Sequence, residues 1–162
     1  MSVDIISDGK TKVTFVAAAD DIADTNAPTV AELGAGVDVE AFITPDGMAI
    51  ELSDDSVDTS ALNSTFSTMK VGRSSVSIEI TFKDQGKDAA PWTTVEGRAA
   101  GFLVVRRNVD SETGYAAADE VEVYTVTCGD IKIVPAAENE VSKFAVDMFS
   151  SSDPVLDATV AA

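Results

Sequence analysis

Apolar and polar side chains alternate with a period of two over much of this chain. The clearest run covers residues 75–83, where Val76, Ile78, Ile80 and Phe82 oppose Ser75, Ser77, Glu79 and Thr81. Alternation of this kind gives a strand one apolar and one polar face. Residues 12–17 repeat it with Val13, Phe15 and Ala17. Residues 37–43 do so with Val37, Val39, Ala41 and Ile43 opposed by Asp38, Glu40 and Phe42. After Pro45, Asp46 and Gly47, which read as a turn, Met48, Ile50 and Leu52 resume the period.

The second half is strand-rich as well. Residues 99–106 are apolar on both sides, Phe102 and Val104 against Leu103 and Val105, and so predict a strand covered on both faces. Residues 120–128 and 130–134 read as a hairpin across Gly129. Residues 141–149 place Phe144, Val146 and Met148 on one side, and residues 155–160 form a last strand or a terminal arm. Helix signals are few. Residues 89–96 predict a short helix beginning near Pro91, and residues 29–33 a single helical turn or a tight connector. Residues 18–28 and 108–120 read as loops.

Residues 53–72 differ in texture: short polar side chains with isolated Phe66, Met69 and Val71. Such a segment cannot nucleate a core, so it is either a loop or an arm that orders against a neighbour. The whole pattern predicts a mostly β fold of two packed antiparallel sheets, a sandwich or partly rolled barrel with one short flanking helix. No repeated crossover helices are present to make a parallel sheet.

Composition narrows the function. The chain has 162 residues, 45% of them hydrophobic, which suits one domain over residues 1–162 with a sizeable core. Acidic side chains number 28 against 11 basic, a net charge of −17. That charge repels nucleic-acid phosphates. The front is the more acidic part, with 13 acidic and 2 basic side chains in residues 1–60. Histidine is absent and cysteine occurs once, as Cys128. An intrachain disulfide and Cys/His zinc ligation are thereby excluded, and Cys128 is expected to be a small buried hydrophobe. Residues 1–6 show no signal-peptide pattern, and no apolar run is long enough for a membrane helix.

Catalytic patterns are missing too. Gly34 and Gly36 lack the rest of a dinucleotide loop, and no phosphate-loop signature closes. Serines have no histidine to activate them. Asp20 with Asp21, and Asp54 with Asp55, lack calcium-loop spacing and read as solvated loop acids. The chain predicts no enzyme, no cofactor and no metal. Trp92, the single tryptophan, is read as a helix anchor or as a subunit contact.

Three motifs carry a likeness: TVAEL at 29–33 with GVDV at 36–39, FITPDG at 42–47, and DAAPWTTVEGRAAGFLVVRR at 88–107. Over roughly residues 10–149 the chain resembles the major tail tube proteins of long-tailed, non-contractile (siphovirus-type) bacteriophages, especially those infecting actinobacteria. That resemblance implies two packed antiparallel sheets with a flanking helix, in subunits that close into hexameric rings whose inner sheets join into one barrel. It further implies rings stacked around a tape measure protein, ends met by tail terminator and distal tail proteins, assembly in the host cytoplasm, and later passage of double-stranded DNA. It assigns residues 53–72 to an inter-ring contact loop, and residues 1–9 and 153–162 to terminal arms. No appended immunoglobulin-like domain is expected after residue 149, and many members of the family the chain resembles manage without one.

With the alternation, the resemblance yields an expected set of lumen-lining residues: Asp38, Glu40, Ser75, Ser77, Glu79 and Thr81. Phe66, Met69, Val71, Trp92, Arg106 and Arg107 are the expected subunit contacts. An anionic lumen would let DNA slide without specific binding. Rival readings are a capsid-decorating or other sandwich-fold virion protein, a surface adhesion module, and an enzyme of unrecognised type.

Overall fold

The computed structural model describes residues 9–162. Along the chain come β1 (Thr11–Ala17), α1 (Val30–Ala35), β2 (Val37–Asp38), β3 (Ile43–Asp58) and β4 (Met69–Lys83), then α2 (Ala90–Val95) and β5 (Ala100–Arg107). They are followed by β6 (Glu120–Cys128), β7 (Lys132–Val134), β8 (Lys143–Ser150) and β9 (Val155–Thr159). Every strand pairing is antiparallel, in the order β2-β1-β5-β6-β8-β4-β3, with β7 added to β8 and β9 to β6. The path is open, ending at β2 and β3.

Two layers result, and β8 belongs to both. One side of β8 pairs with β4, from Ser77 opposite Phe149 to Lys83 opposite Lys143. Its other side takes β7 near its start and β6 at its end. An inner layer β3-β4-β8-β7 therefore turns into an outer layer β6-β5-β1-β2, to which β9 adds. Between them lies the main core: Phe15, Ile78, Ile80, Phe82, Leu103, Val105, Phe144, Val146 and Met148 are all buried there. Cys128 is buried in the same cluster.

The doubly apolar strand behaves as its sequence predicts. Leu103 and Val105 enter the main core, while Val104 joins a second cluster with Val16, Ile22, Leu33, Val121, Val123, Ala158 and Val160. Phe102 packs against that second cluster. Residues from α1, the connection before it and the C-terminal end thus cover the far face of the outer layer.

Local chemistry explains the helices. Thr29 caps α1: its hydroxyl accepts from Glu32 N at 3.2 Å, and Glu32 Oε2 accepts from Thr29 N at 2.7 Å. This reciprocal box satisfies two otherwise orphaned donors and stabilises the turn by about 1 kcal/mol. Pro91 opens α2, where its missing N–H costs nothing. Trp92 from α2 meets Phe144 edge-on with ring centroids 5.1 Å apart, anchoring the helix on the main core.

Four sequence expectations are corrected. First, residues 37–43 are not one strand. Val39 N donates to Val13 O at 2.8 Å and its side chain enters the core, after which residues 40–42 make a 3-10 turn. Second, Pro45, Asp46 and Gly47 do not reverse the chain but bulge within β3. Ile43 sits opposite Phe82 and Met48 opposite Ile80, which leaves β3 with the surplus residues. An edge strand tolerates proline there. Gly47 is required, because a Cβ would collide with Thr44 Oγ1 and with Thr81 O.

Third, β7 pairs with β8 and not with β6. β6 already holds β5 on one side and β8 and β9 on the other, and Gly129 N donates to Asp147 O at 2.7 Å, carrying the chain to the inner layer. Fourth, residues 53–72 form a β-hairpin continuing β3 and β4. Its hydroxyls pair across the ribbon, as in Ser53 Oγ to Ser75 Oγ at 2.9 Å and Ser74 Oγ to Asp54 Oδ1 at 2.6 Å. A register shift between Asp54 and Ser56 bends it.

The C-terminal stretch is docked. β9 pairs with β6, Ala158 and Val160 are buried, and Ala161 bridges to Thr29. Of the two alternatives for residues 155–160, a last strand or a terminal arm, this is the strand. The arm expected over residues 1–9 lies outside the described residues except for Gly9.

Candidate functional site

One sheet face is left bare. The outer layer has its far face covered by the second cluster, whereas the inner layer shows solvent the face opposite its core. On β4, Ser75, Ser77 and Glu79 are exposed and Thr81 is partly so, while Ile78, Ile80 and Phe82 between them are buried. Cross-strand pairing extends this face onto the neighbours: Ser53 opposite Ser75, Glu51 opposite Ser77, and Asp147 opposite Glu79. Phe149, opposite Ser77, is its main apolar member.

Lys132 joins two acids at the middle of this face, whose end carries Lys83 opposite Lys143. Lys132 Nζ lies 2.5 Å from Asp147 Oδ2 and 3.6 Å from Glu79 Oε2. The Lys132 hydrogen bond holds the Asp147 carboxyl below its usual range, and Asp147 in turn raises Lys132. Two carboxylates facing each other across adjacent strands would repel; the shared ammonium offsets that and leaves the trio net negative. The period of two in residues 141–149 was signal enough to put Asp147 on a polar face. Placing it beside Glu79 and Lys132 needed the register of three strands, which no local pattern supplies.

Asp38 and Glu40 lie elsewhere, at the β1–β2 edge of the outer layer. Lys12 Nζ approaches Asp38 Oδ2 at 2.6 Å and Glu40 Oε1 at 3.5 Å. Thr14 Oγ1 donates to Asp38 Oδ1 at 2.6 Å, so the 2.8 Å contact between Thr14 Oγ1 and Tyr115 Oη has the phenol as donor. Burial lifts the Tyr115 phenol to about 12. These two acids therefore belong to a partly buried network and do not share the face of Glu79. The seven-residue alternation misled because its strand stops after Asp38.

The expected contact residues divide. Phe66, Met69 and Val71 are exposed on the hairpin with little of their own chain against them. Trp92 is half-buried on Phe144. Arg107 is tied to Glu122, with Nε to Oε1 at 2.6 Å, and Glu122 also accepts from Tyr124 Oη at 2.9 Å. Arg106 is fully enclosed, which removes it from any surface role. Its guanidinium donates to the carbonyls of Asp110, Thr113 and Gly114 and to Asp119.

A two-layer antiparallel protein that leaves one polar face bare, with its flanking strand edges open, is built as a piece of wall and not around a reaction cleft. The family agrees with that architecture: the model for phage tail tube protein matches residues 1–162, and the chain belongs to that family. It is thus a structural component of a bacteriophage tail, found in the virion, which assembles with other tail proteins into a tube, and it is not an enzyme. No curated protein matches the chain. Among solved structures, it is similar to a chain in the cryo-EM structure of the anti-feeding prophage (AFP) baseplate, 6-fold symmetrised. The TM-score is 0.56 at 14% identity, covering 96% of each chain. At that identity the likeness speaks for the fold alone.

Proposed function

We propose that the chain forms hexameric rings that stack into the tail tube, with the bare face of the β3-β4-β8-β7 layer lining a channel for double-stranded DNA. The observation that carries this reading is the exposed polar face itself, bounded by β3 on one side and by β7 and the end of β8 on the other. Among the described residues β3 has no strand partner beyond β4, and β7 none beyond β8. Joining the β3 edge of one copy to the β7 edge of the next repeats the layer around an axis and removes both open edges. The 6-fold symmetry of the AFP baseplate supports this number of copies.

In such a ring Glu51, Glu79 and Asp147 face the bore among Ser53, Ser75, Ser77 and Thr81, with Lys132 held between two of the acids and Lys83 opposite Lys143 at one end. Carboxylates repel phosphate, and small hydrated hydroxyls give DNA no adhesive site at which to stall. The tube would be wound on a tape measure protein and closed by tail terminator and distal tail proteins. Siphovirus-type DNA ejection then requires transit without binding.

The test is negative-stain microscopy of the concentrated protein with rotational averaging. Sixfold annuli or hollow filaments are expected. Particles of another rotational order, or a reconstruction with Glu79 and Ser77 on the outside of the wall, would overturn the proposal.

A further inference from the structure

We infer that Lys12 and Asp38 join in a side-chain amide bond, made by the folded chain itself with Glu40 as the proton carrier. Tube formation does not require this bond, and the two stand or fall separately. The residues lie where β1 meets β2. Asp38 is paired with Thr14, so Lys12 is its diagonal neighbour on the same side of the strand pair, a separation that a long side chain spans.

Geometry favours reaction over a plain ion pair. Lys12 is buried, and its Nζ lies 2.6 Å from Asp38 Oδ2 and 3.5 Å from both Glu40 Oε1 and the Ser111 carbonyl oxygen. Asp38 Oδ1 accepts from the hydroxyl of buried Thr14, which accepts in turn from Tyr115 Oη. That relay of donors is aimed at the oxygen that becomes negative when an amine adds to Cγ. Glu40 Oε2 is enclosed with no hydrogen-bond partner among the described residues. Such an oxygen is costly in a static salt bridge, and it leaves a lone pair to take a proton in transit. Lys132 supplies the contrast: its trio with Asp147 and Glu79 has the same groups, but its side chain is half in water.

The step balances. Burial works against the Lys12 ammonium, while hydrogen bonding to Asp38 and the charges of Glu40 and Asp38 keep it protonated, so the ion pair is the resting form. Passing one proton along the 2.6 Å hydrogen bond turns the pair into amine and carboxylic acid without changing net charge. The Nζ lone pair then forms a bond to Asp38 Cγ, and the displaced electron pair sits on Oδ1 against the Thr14 hydroxyl. Glu40 takes a proton from Nζ and returns it to the Oδ2 hydroxyl. The Cγ–Oδ2 bond breaks, and water leaves through the solvent side of half-exposed Asp38. Ammonium and carboxylate thus become one amide and one water, with nothing oxidised or reduced. Well-oriented groups reach effective molarities of ~10⁵–10⁸ M, which offsets the excess of water opposing condensation. A chain in the resting form still titrates at Lys12; a closed one does not.

Purified protein held folded at neutral pH for several days tests this by intact mass spectrometry, followed by unfolding and digestion with trypsin. A mass lower by one water and loss of cleavage after Lys12 are expected. No basic residue lies between Lys12 and Lys70, so the closed chain gives a single peptide 11–70 carrying the deficit, while cleavage after Lys132 is unaffected. Lys12→Arg keeps an ion pair but cannot form this amide, and should retain full mass. Glu40→Gln cannot carry the proton and should close ~100-fold more slowly. Circular dichroism checks that both variants are folded. Full mass in the unsubstituted chain overturns the inference. The same deficit in Lys12→Arg also overturns it, since the water would then come from a succinimide at an aspartate, and so does an undiminished rate in Glu40→Gln.

Discussion

Arg106 Nη1 donates to Asp119 Oδ2 at 2.8 Å from a site wholly shut off from solvent. The same guanidinium binds three backbone carbonyls between Asp110 and Gly114, and its carbon lies 5.1 Å from the centre of the Tyr115 ring. Asp119 Oδ2 also accepts from Ala116 N at 3.0 Å. One side chain on β5 thus gathers the whole connection between β5 and β6. Replacing Arg106 with methionine keeps the volume but strands the carboxylate and the carbonyls. A loss of about 3–5 kcal/mol is expected, measured by urea denaturation, together with new protease cleavage within residues 108–119. An unchanged midpoint would mean that the connection holds itself.

Alkali should attack the neighbouring network. Burial pulls the Lys12 ammonium down, but hydrogen bonding to Asp38 and the charges of Glu40 and Asp38 outweigh it and leave it above its ordinary value. Tyr115, raised by burial to about 12, also keeps its proton more tightly when folded. Stability from both groups is complete below the ordinary lysine and tyrosine range, near pH ~10, and drains as pH climbs through the folded values. The urea midpoint is expected to hold steady up to about pH 9.5 and to fall beyond ~10. A midpoint that is flat to pH ~12 would count against the network.

Gly101 lies where β5 presses on β1. A Cβ there would overlap the carbonyl oxygen of Val16 and approach Phe15 Cζ at 3.0 Å. Gly101→Ala is expected to destabilise by ~1–3 kcal/mol, as overpacking does, with the thermal midpoint as the readout. Gly34→Ala, within α1 at a position with nothing within 4 Å, is the matched control and should hold that midpoint or raise it slightly, since alanine favours a helix over glycine.

Cys128 gives a folding probe without any mutation. Burial raises its thiol to about 11, so the reactive thiolate is scarce at neutral pH. Aromatic disulfide reagents should label the native protein at least 100-fold more slowly than the urea-unfolded chain. Equal rates would place the thiol at the surface.

Charge reversal on the bare face separates wall from ornament. Glu79→Lys places a cation beside Lys132 on a solvent-facing position, and the fold should survive with circular dichroism unchanged. Tubes built from this variant should retain linear DNA in co-sedimentation at low salt and release it as salt rises, whereas unmodified tubes should not. Absence of any difference would put Glu79 outside the bore.

Sequence pattern reached furthest where burial is one-sided. Residues 76–82 declared both faces of β4 because every second side chain is apolar, and residues 102–105 declared coverage on both sides because every one is. Asp38 and Glu40 were misplaced for the converse reason: a short alternating run continues on paper after the backbone has turned to bury Val39. Arg106 was read with Arg107 as a subunit contact because arginine ordinarily lies at the surface. The carbonyls that receive it come from a connection with no periodicity. The hairpin over residues 53–72 hid its strands behind serine and threonine, since nothing there is buried and its ladder is held by backbone and hydroxyl pairs.

β8 gives its first half to β7, its end to β6, and its opposite flank to β4. Because a single strand is stitched into both leaves, pressure from inside cannot slide one leaf over the other; it has to flex β8 and everything bonded to it. A conduit made of such units resists bursting as plywood does, by having its plies share a fibre.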